Sequence, residues 1–187
     1  MKYPEYANVG DKLYKINTDF KTAIECQNVA QSDVRNEERA LAIIYLLFGD
    51  EGLDNPQDYE ELLEKAMYFL SCGKDLQDNS EKPDMDFNQD EAYIKASFYT
   101  DYGIPNIYDT NMHWWEFMDL MNGLKEDCVL NRVREIRNYD VSGIKDSKAL
   151  NQILKQKASV ALNKKEIEMT EEQIESSNRF YEQLRGD

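Results

Sequence analysis

The chain has 187 residues, of which 22 are basic and 37 acidic, giving a net charge of −15. That length suits one compact domain, or one domain with a tail. The negative field argues against non-specific nucleic-acid binding and against docking on anionic membrane.

The elements follow in chain order. Gly10-Asp11 marks a turn between Val9 and Lys12-Leu13-Tyr14-Lys15-Ile16, which predicts a short N-terminal β-hairpin. Thr18 or Asp19 then caps a helix with Phe20, Ala23, Ile24 and Gln27 on one face. Asp33 opens a second helix, with Glu37 and Glu38 in its first turn, where the dipole favours acids. Its interior, Ala40–Phe48, is apolar nearly all round, so burial on most sides is expected before Gly49 stops it. This is the longest apolar run, and it is too short to span a membrane. Asn55-Pro56 starts a third helix with the stripe Leu62, Leu63, Ala66, Phe69 and Leu70, ended by Gly73.

Residues 75–91 hold seven acids and one lysine without periodicity, the pattern of a solvated loop. A helix from about Asn88 to Tyr102 follows, with Ala92, Ile94, Phe98 and Tyr99 inward. Asp109 or Thr110 is expected to cap the next one, which holds Met112, Trp114, Trp115, Phe117, Met118 and Met121 up to Gly123. Asp127 starts a helix with Val129, Val133 and Ile136, and Asp146 caps another with Leu150, Ile153, Leu154 and Ala158. Thr170-Glu171-Glu172-Gln173 has the form of a capping box. The last segment carries a thin stripe of Ile167, Ile174, Tyr181 and Leu184. The expected class is all-α: a single helical domain of six to eight helices over 1–163, with an acidic loop at 74–88. A C-terminal helical tail over 164–187 completes it.

Little in this pattern points to catalysis. Asp84, Asp86, Asn88 and Asp90 alternate as in a calcium-binding EF-hand loop, but Gln89 stands at the sixth position and Lys95 at the twelfth. The loop chemistry needs glycine and a bidentate carboxylate there, so these acids read as helix-start residues, with Asp86 capping. His113 is the only histidine and has no cysteine near it in sequence, so no zinc site is expected. It reads as a partly buried residue beside Trp114-Trp115. Cys26, Cys72 and Cys128 are odd in number and form no C-x-x-C, which fits a reduced interior. Gly73-Lys74 lacks the other parts of a phosphate-binding loop, and neither G-x-S-x-G nor G-x-G-x-x-G occurs. No catalytic residue, metal or cofactor is expected.

Trp114 and Trp115 are neighbours on a helix, about 100° apart. Either both are core, or one faces the core and the other a partner. Residues 125–157 hold eight basic and five acidic side chains, including Arg132, Arg134 and Arg137. That island is either a surface for an acidic partner or self-association, or it pairs with acids of its own domain. Internal pairing is the commoner arrangement.

Several separated stretches together resemble a known family. They are Ile16-Asn17-Thr18-Asp19-Phe20, Glu38–Gly49, Phe69-Leu70-Ser71-Cys72-Gly73, Asp90–Phe98 and Tyr102-Gly103-Ile104, then Met112–Phe117, Leu120–Leu124, Arg134–Arg137 and Ile144-Lys145-Asp146. In this order they resemble the bacteriophage gene-product-fifteen family, over most of residues 9–158. Pro105-Asn106 stands where that pattern has an acidic residue. The family is encoded in tail modules of siphophages and prophages, just upstream of the tape-measure gene. The resemblance therefore implies a non-enzymatic tail-assembly chaperone that works in the host cytoplasm. Its partner would be the tape-measure protein or another tail protein, with neither nucleic acid nor membrane involved. The rival readings are a structural component retained in the tail and a protein directed at host defence. The expected partner contacts are Trp114 or Trp115 and the terminal residues Ile174, Phe180, Tyr181 and Leu184, the alternative for the terminal stripe being that it folds back on the domain's own core.

Overall fold

The computed structural model describes residues 2–74 and 83–163. Among these, seven α-helices and one two-stranded antiparallel hairpin give a mostly helical fold, the class the sequence pattern predicts. The chain divides into two compact units, one of residues 2–74 and 111–119, the other of residues 83–110 and 120–163.

The first unit opens with β1 (Tyr6–Val9) and β2 (Lys12–Lys15), paired Tyr6 to Lys15 and Val9 to Lys12. The turn is Gly10-Asp11, and Gly10 takes φ +54°, the left-handed geometry that matches a hairpin turn to the twist of its strands. Period-two alternation buries Ala7, Val9 and Tyr14 and exposes Tyr6 and Leu13. Helix α1 (Phe20–Ala30) is capped by Asp19, whose carboxylate accepts from the Lys21 amide at 2.9 Å. Helix α2 (Asn36–Phe48) packs on α1 and on α3 (Tyr59–Leu70).

Two expectations for α2 fail. Its first residue is Asn36 and its cap position is Arg35, so Asp33 lies in the preceding turn rather than opening the helix. Its apolar run is also not buried on most sides. Ile43, Ile44, Leu47 and Phe48 face the core, whereas Leu41 is 37% and Tyr45 50% exposed. α1 and α3 cover one flank of a helix whose sequence is apolar on both. At the third start the Asn55 side chain does cap, accepting from Gln57 N–H, but it opens a 3-10 turn (Pro56–Asp58) that passes into α3.

Residues 111–119 return to the first unit. Here the expected cap at Asp109 or Thr110 gives way to tertiary pairing. Ile107–Asp109 is a short 3-10 turn, and the chain then runs extended. Phe20 N–H donates to the Met112 carbonyl at 3.0 Å and Trp114 N–H to the Thr18 carbonyl at 2.7 Å, a bridge between Asp19 and His113. Only then does α5 (Trp114–Asn122) begin. Phe117 stacks on Phe20 at 4.4 Å and 13°, with Trp114 stacked on Phe117 at 5.9 Å. Such pairs contribute about 0.5–1.5 kcal/mol beyond the area they bury.

The second unit holds α4 (Glu91–Tyr102), α6 (Val129–Asn138) and α7 (Ser147–Ser159). Helix α4 packs on α6 through Ile94, Ser97 and Phe98. The Ser97 hydroxyl accepts from the buried Leu130 N–H at 3.1 Å. Ala92 and Tyr99, predicted inward, are exposed, Tyr99 by 60%. Helix α4 starts at Glu91, three residues later than expected, and its buried stripe is Ile94, Ser97 and Phe98, with Tyr99 about 100° round the helix from Phe98. At α6 the cap residue is Cys128, one later than the predicted Asp127. Asp146 caps α7 as predicted, accepting from Lys148 N–H at 2.8 Å and Ala149 N–H at 2.9 Å. Nothing on α7 is fully buried, Leu154 being 44% exposed.

Candidate functional site

The acidic stretch before α4 is the first candidate that the structure resolves. It was expected to be a solvated loop, but residues 84–90 are tied into the second unit. Asp90 is completely buried, and its two carboxylate oxygens each accept from Arg137 at 2.7 Å in a two-pronged ion pair. The same guanidinium donates to the Asp84 carbonyl at 2.8 Å and, through Nε, to the Val160 carbonyl at 2.6 Å. One planar fork therefore clamps three separated segments, which a lysine ammonium would not do in the same geometry. The hydrogen bond to Asp90 holds Arg137 above its ordinary pKa, against the pull of burial.

Asp84 pairs with Arg134 at 3.1 Å and accepts from Asn138 Nδ2 at 2.9 Å. Asp86 caps the turn, accepting from Asn88 N–H at 2.9 Å and Gln89 N–H at 2.8 Å. The alternating acids that imitate a calcium loop are thus engaged by arginines and backbone amides. Among the described residues no cluster of His, Cys, Asp and Glu is placed to hold a metal. The internal reading of Arg134 and Arg137 is the one the structure supports, and Arg132 remains exposed.

Two of the three thiols, Cys26 and Cys72, are poor nucleophiles where they stand. None of the three cysteines is in a disulfide. Burial pushes Cys26 up to about 12 and Cys72 up to about 11, so both are held as neutral thiols. His113 is tied at both ring nitrogens. Nδ1 accepts from the Trp115 amide at 3.0 Å, and Nε2 lies 3.0 Å from the Pro4 carbonyl. An amide can only donate and a carbonyl can only accept, so the neutral Nε2–H tautomer satisfies both. The residue fixes the start of α5 against the N-terminal arm.

The aromatic group around it is the second candidate. Trp114 is 1% exposed, and its indole N–H donates to the Leu70 carbonyl at 3.0 Å. Trp115 is half-buried and donates to the Phe69 carbonyl at 2.9 Å. The Trp114 indole thus satisfies the Leu70 carbonyl at the end of α3, and the Trp115 indole is a second donor to the Phe69 carbonyl, which also accepts from Cys72 N–H. The two tryptophans diverge, Trp114 lying inside and Trp115 keeping part of its ring outside. Tyr3 meets the Trp115 ring edge-on at 6.4 Å, Tyr68 lies 6.1 Å from it, and Phe69 stacks at 6.5 Å.

Gly73, at φ +71°, sits against this plate. A Cβ there would come 3.0 Å from Trp115 Cη2 and 3.1 Å from Tyr68 Oη. Tyr3 stacks on His113 at 5.0 Å and donates to Asp119 Oδ2 at 2.8 Å, a bond that raises the phenol's pKa. Tyr68 is 57% and Met67 37% exposed.

Sequence reasoning named Trp115 but missed Tyr3, Tyr68 and the close approach of Gly73. The available signal was Tyr68 itself, an aromatic on α3 about 100° away from the buried stripe. The expected contacts Ile174, Phe180, Tyr181 and Leu184 lie outside the described residues.

A third feature is an open groove of about 750 Å³ in the first unit, lined among others by Lys15, Asp19, Glu25, Tyr45, Leu46 and Asn111. Its lining mixes backbone, apolar and charged groups. Asp19 there is already occupied as the α1 cap. No helix among the described residues is long and apolar enough to cross a membrane.

The family model described as Bacteriophage Gp15 protein matches residues 4–162, which takes in nearly all of the described chain. No curated protein and no solved structure matches the chain.

Proposed function

We propose, from the premise that this chain belongs to the bacteriophage Gp15 protein family, that it is a non-enzymatic tail-assembly chaperone. It is a largely helical bacteriophage protein. In this reading it binds the tape-measure protein in the host cytoplasm while the tail is built, and leaves before the tail is complete. The observation that carries the reading is an aromatic surface of exposed Tyr68 and half-buried Trp115 on a helical chain of net charge −15. A tape-measure protein is long and helical, and before the tube encloses it its apolar stripes face water. A helical partner can cover such stripes face to face. Its own charge keeps the complex dispersed.

The binding groups are proposed to be Trp115 on the first unit and Ile174, Phe180, Tyr181 and Leu184 beyond the described residues. Trp114, at 1% exposure, lies inside the first unit and is not proposed to touch the partner. Co-expression with the tape-measure protein of the same phage tests this. Soluble co-purification is expected, and it should weaken when Ile174, Tyr181 and Leu184 are changed to Asp in a variant that still folds. Failure of the unaltered chain to co-purify would sink the reading. Recovery of the chain in purified tails would favour a retained structural component instead.

A further inference from the structure

The aromatic face of the first unit is bordered by carboxylates. Glu64 lies one turn before Tyr68 on the same side of α3, and it is exposed. Glu116 and Asp119 project from α5 and are exposed as well. Asp119 accepts from the Tyr3 phenol at 2.8 Å, which puts it beside the ring that meets Trp115 edge-on, and Glu116 follows Trp115 directly on α5. Among the described residues, no basic side chain forms an ion pair with Glu64, Glu116 or Asp119. The contrast with Asp84 and Asp90, both held by arginines, is direct. An aromatic plate with uncompensated acids at its rim is the chemistry that receives a cation, through ring faces and charge together. The plate is also fixed in advance: its indole N–H is anchored on Phe69, and Gly73 closes against its edge. Little side-chain freedom is lost on binding.

We propose that the Tyr68–Trp115 face, rimmed by Glu64, Glu116 and Asp119, docks a basic amphipathic helix. The apolar side of that helix lies over Met67 and Tyr68, and a lysine or arginine of it sits on the aromatic plate. This deepens the chaperone reading and rests on it, since it states what kind of client segment the first unit takes. Charge favours such an occupant at every scale. The first unit carries eight basic and sixteen acidic residues among those described, so a basic helix is attracted before it touches. A second copy of the chain, at −15, is repelled.

The probe is a synthetic amphipathic helix of leucine and lysine, set against its leucine–glutamate counterpart and followed by amide NMR of the full chain. The lysine peptide is expected to bind, with shifts confined to residues 64–74 and 113–119. Its affinity should fall about tenfold in the double variant Glu64→Lys/Glu116→Lys, where two charge contacts are reversed. The glutamate peptide is expected to show no binding. Both substituted positions are exposed, so the variant keeps the fold, and its unbound spectrum checks that. Tyr68→Ala gives a second, uncharged arm with weaker binding expected.

Equal affinity for the double variant overturns the proposal, as do shifts centred on α7 or on the 750 Å³ groove, or no binding by the lysine peptide. Concentration-dependent dimers abolished by reversing Lys148 and Lys155 would assign the face to a second copy, and overturn it too. If the tape-measure protein co-purifies equally well with the double variant, this inference fails while the chaperone reading stands. If the lysine peptide binds as expected but no tape-measure protein co-purifies, the chaperone reading fails and the basic-helix site remains.

Discussion

The two units treat their carboxylates differently. In the second, nine basic residues face eleven acidic ones, and the acids nearest α4 are drawn inward. Asp90 lies fully buried in a fork of Arg137, and Asp84 is shared by Arg134 and Asn138. In the first, the interior is aromatic and aliphatic, ordered by the Phe20–Phe117 stack and the two indoles on the end of α3. Its excess acids stay on the surface. Both units have an apolar core, with Ile94, Phe98, Ile107 and Leu130 fully buried in the second, but only the second also buries an ion pair, Asp90 with Arg137. The acids before α4 are thus engaged by arginines, whereas Glu64, Glu116 and Asp119 of the first unit are exposed and form no ion pair with a described residue.

The largest expected effects test the two kinds of interior separately. Arg137→Ala leaves the Asp90 carboxylate buried and unpaired, at a cost of about 3–5 kcal/mol. Hydrogen exchange should show α4, α6 and the end of α7 losing protection first, while α1–α3 keep theirs. Replacing the pair together, Arg137→Met with Asp90→Leu, should recover much of that loss. Uniform loss across both units would break the comparison. Phe117→Ala is the counterpart in the first unit, also about 3–5 kcal/mol from the cavity it opens. The order of protection loss should then invert.

Tyr14→Phe sharpens the picture of the first unit. The buried Tyr14 hydroxyl donates to Asp58 at 2.7 Å, and that bond, with burial, pushes the phenol up to about 12. The folded-state pKa is raised above the unfolded value of about 10. The hydroxyl's contribution is therefore complete below about pH 10 and is lost as the pH climbs towards about 12. Urea melts at neutral pH should show a loss of about 1.5–3 kcal/mol. Between pH 10 and 12 the unaltered protein should lose stability more steeply than the variant. Gly73→Ala should cost about 1–2 kcal/mol from the left-handed backbone alone. It should also shift tryptophan fluorescence, because the added methyl meets the Trp115 ring. Leu154→Lys on α7, where 44% of the residue is already in water, should stay within about 0.5 kcal/mol. A larger loss would mean that Leu154 is packed more tightly than its exposure shows.

Much of the local structure was legible. Asp19, Asn55 and Asp146 cap as their positions predict, the Gly10-Asp11 turn closes the hairpin, and Gly49 and Gly103 end their helices. Each of these depends on groups a few residues apart. The misses are of another kind. Asp109 and Thr110 look like caps, yet residues 111–113 run extended because Thr18 and Phe20 offer backbone partners there. Tyr99 looks inward by spacing, yet the stripe of Ile94, Ser97 and Phe98 is the face that is buried, and Tyr99 is left in solvent. The candidate site was half visible. Trp115 could be named from sequence, whereas Tyr3 reaches it from 112 residues away and no local pattern signals that.

By itself the sequence determined the helical class, most helix ends, the negative field and the family, because periodicity, capping and charge are properties of short windows or of plain sums. The tertiary structure alone decided which side of α2 is buried, which tryptophan is inside, and which acids are free. Those outcomes depend on what each face meets. Arg137 neutralises Asp90 from 47 residues away, and for Glu64 and Glu116 no described residue does the same. A carboxylate's role is set by its neighbours in space, and the chain order does not contain them until it has folded.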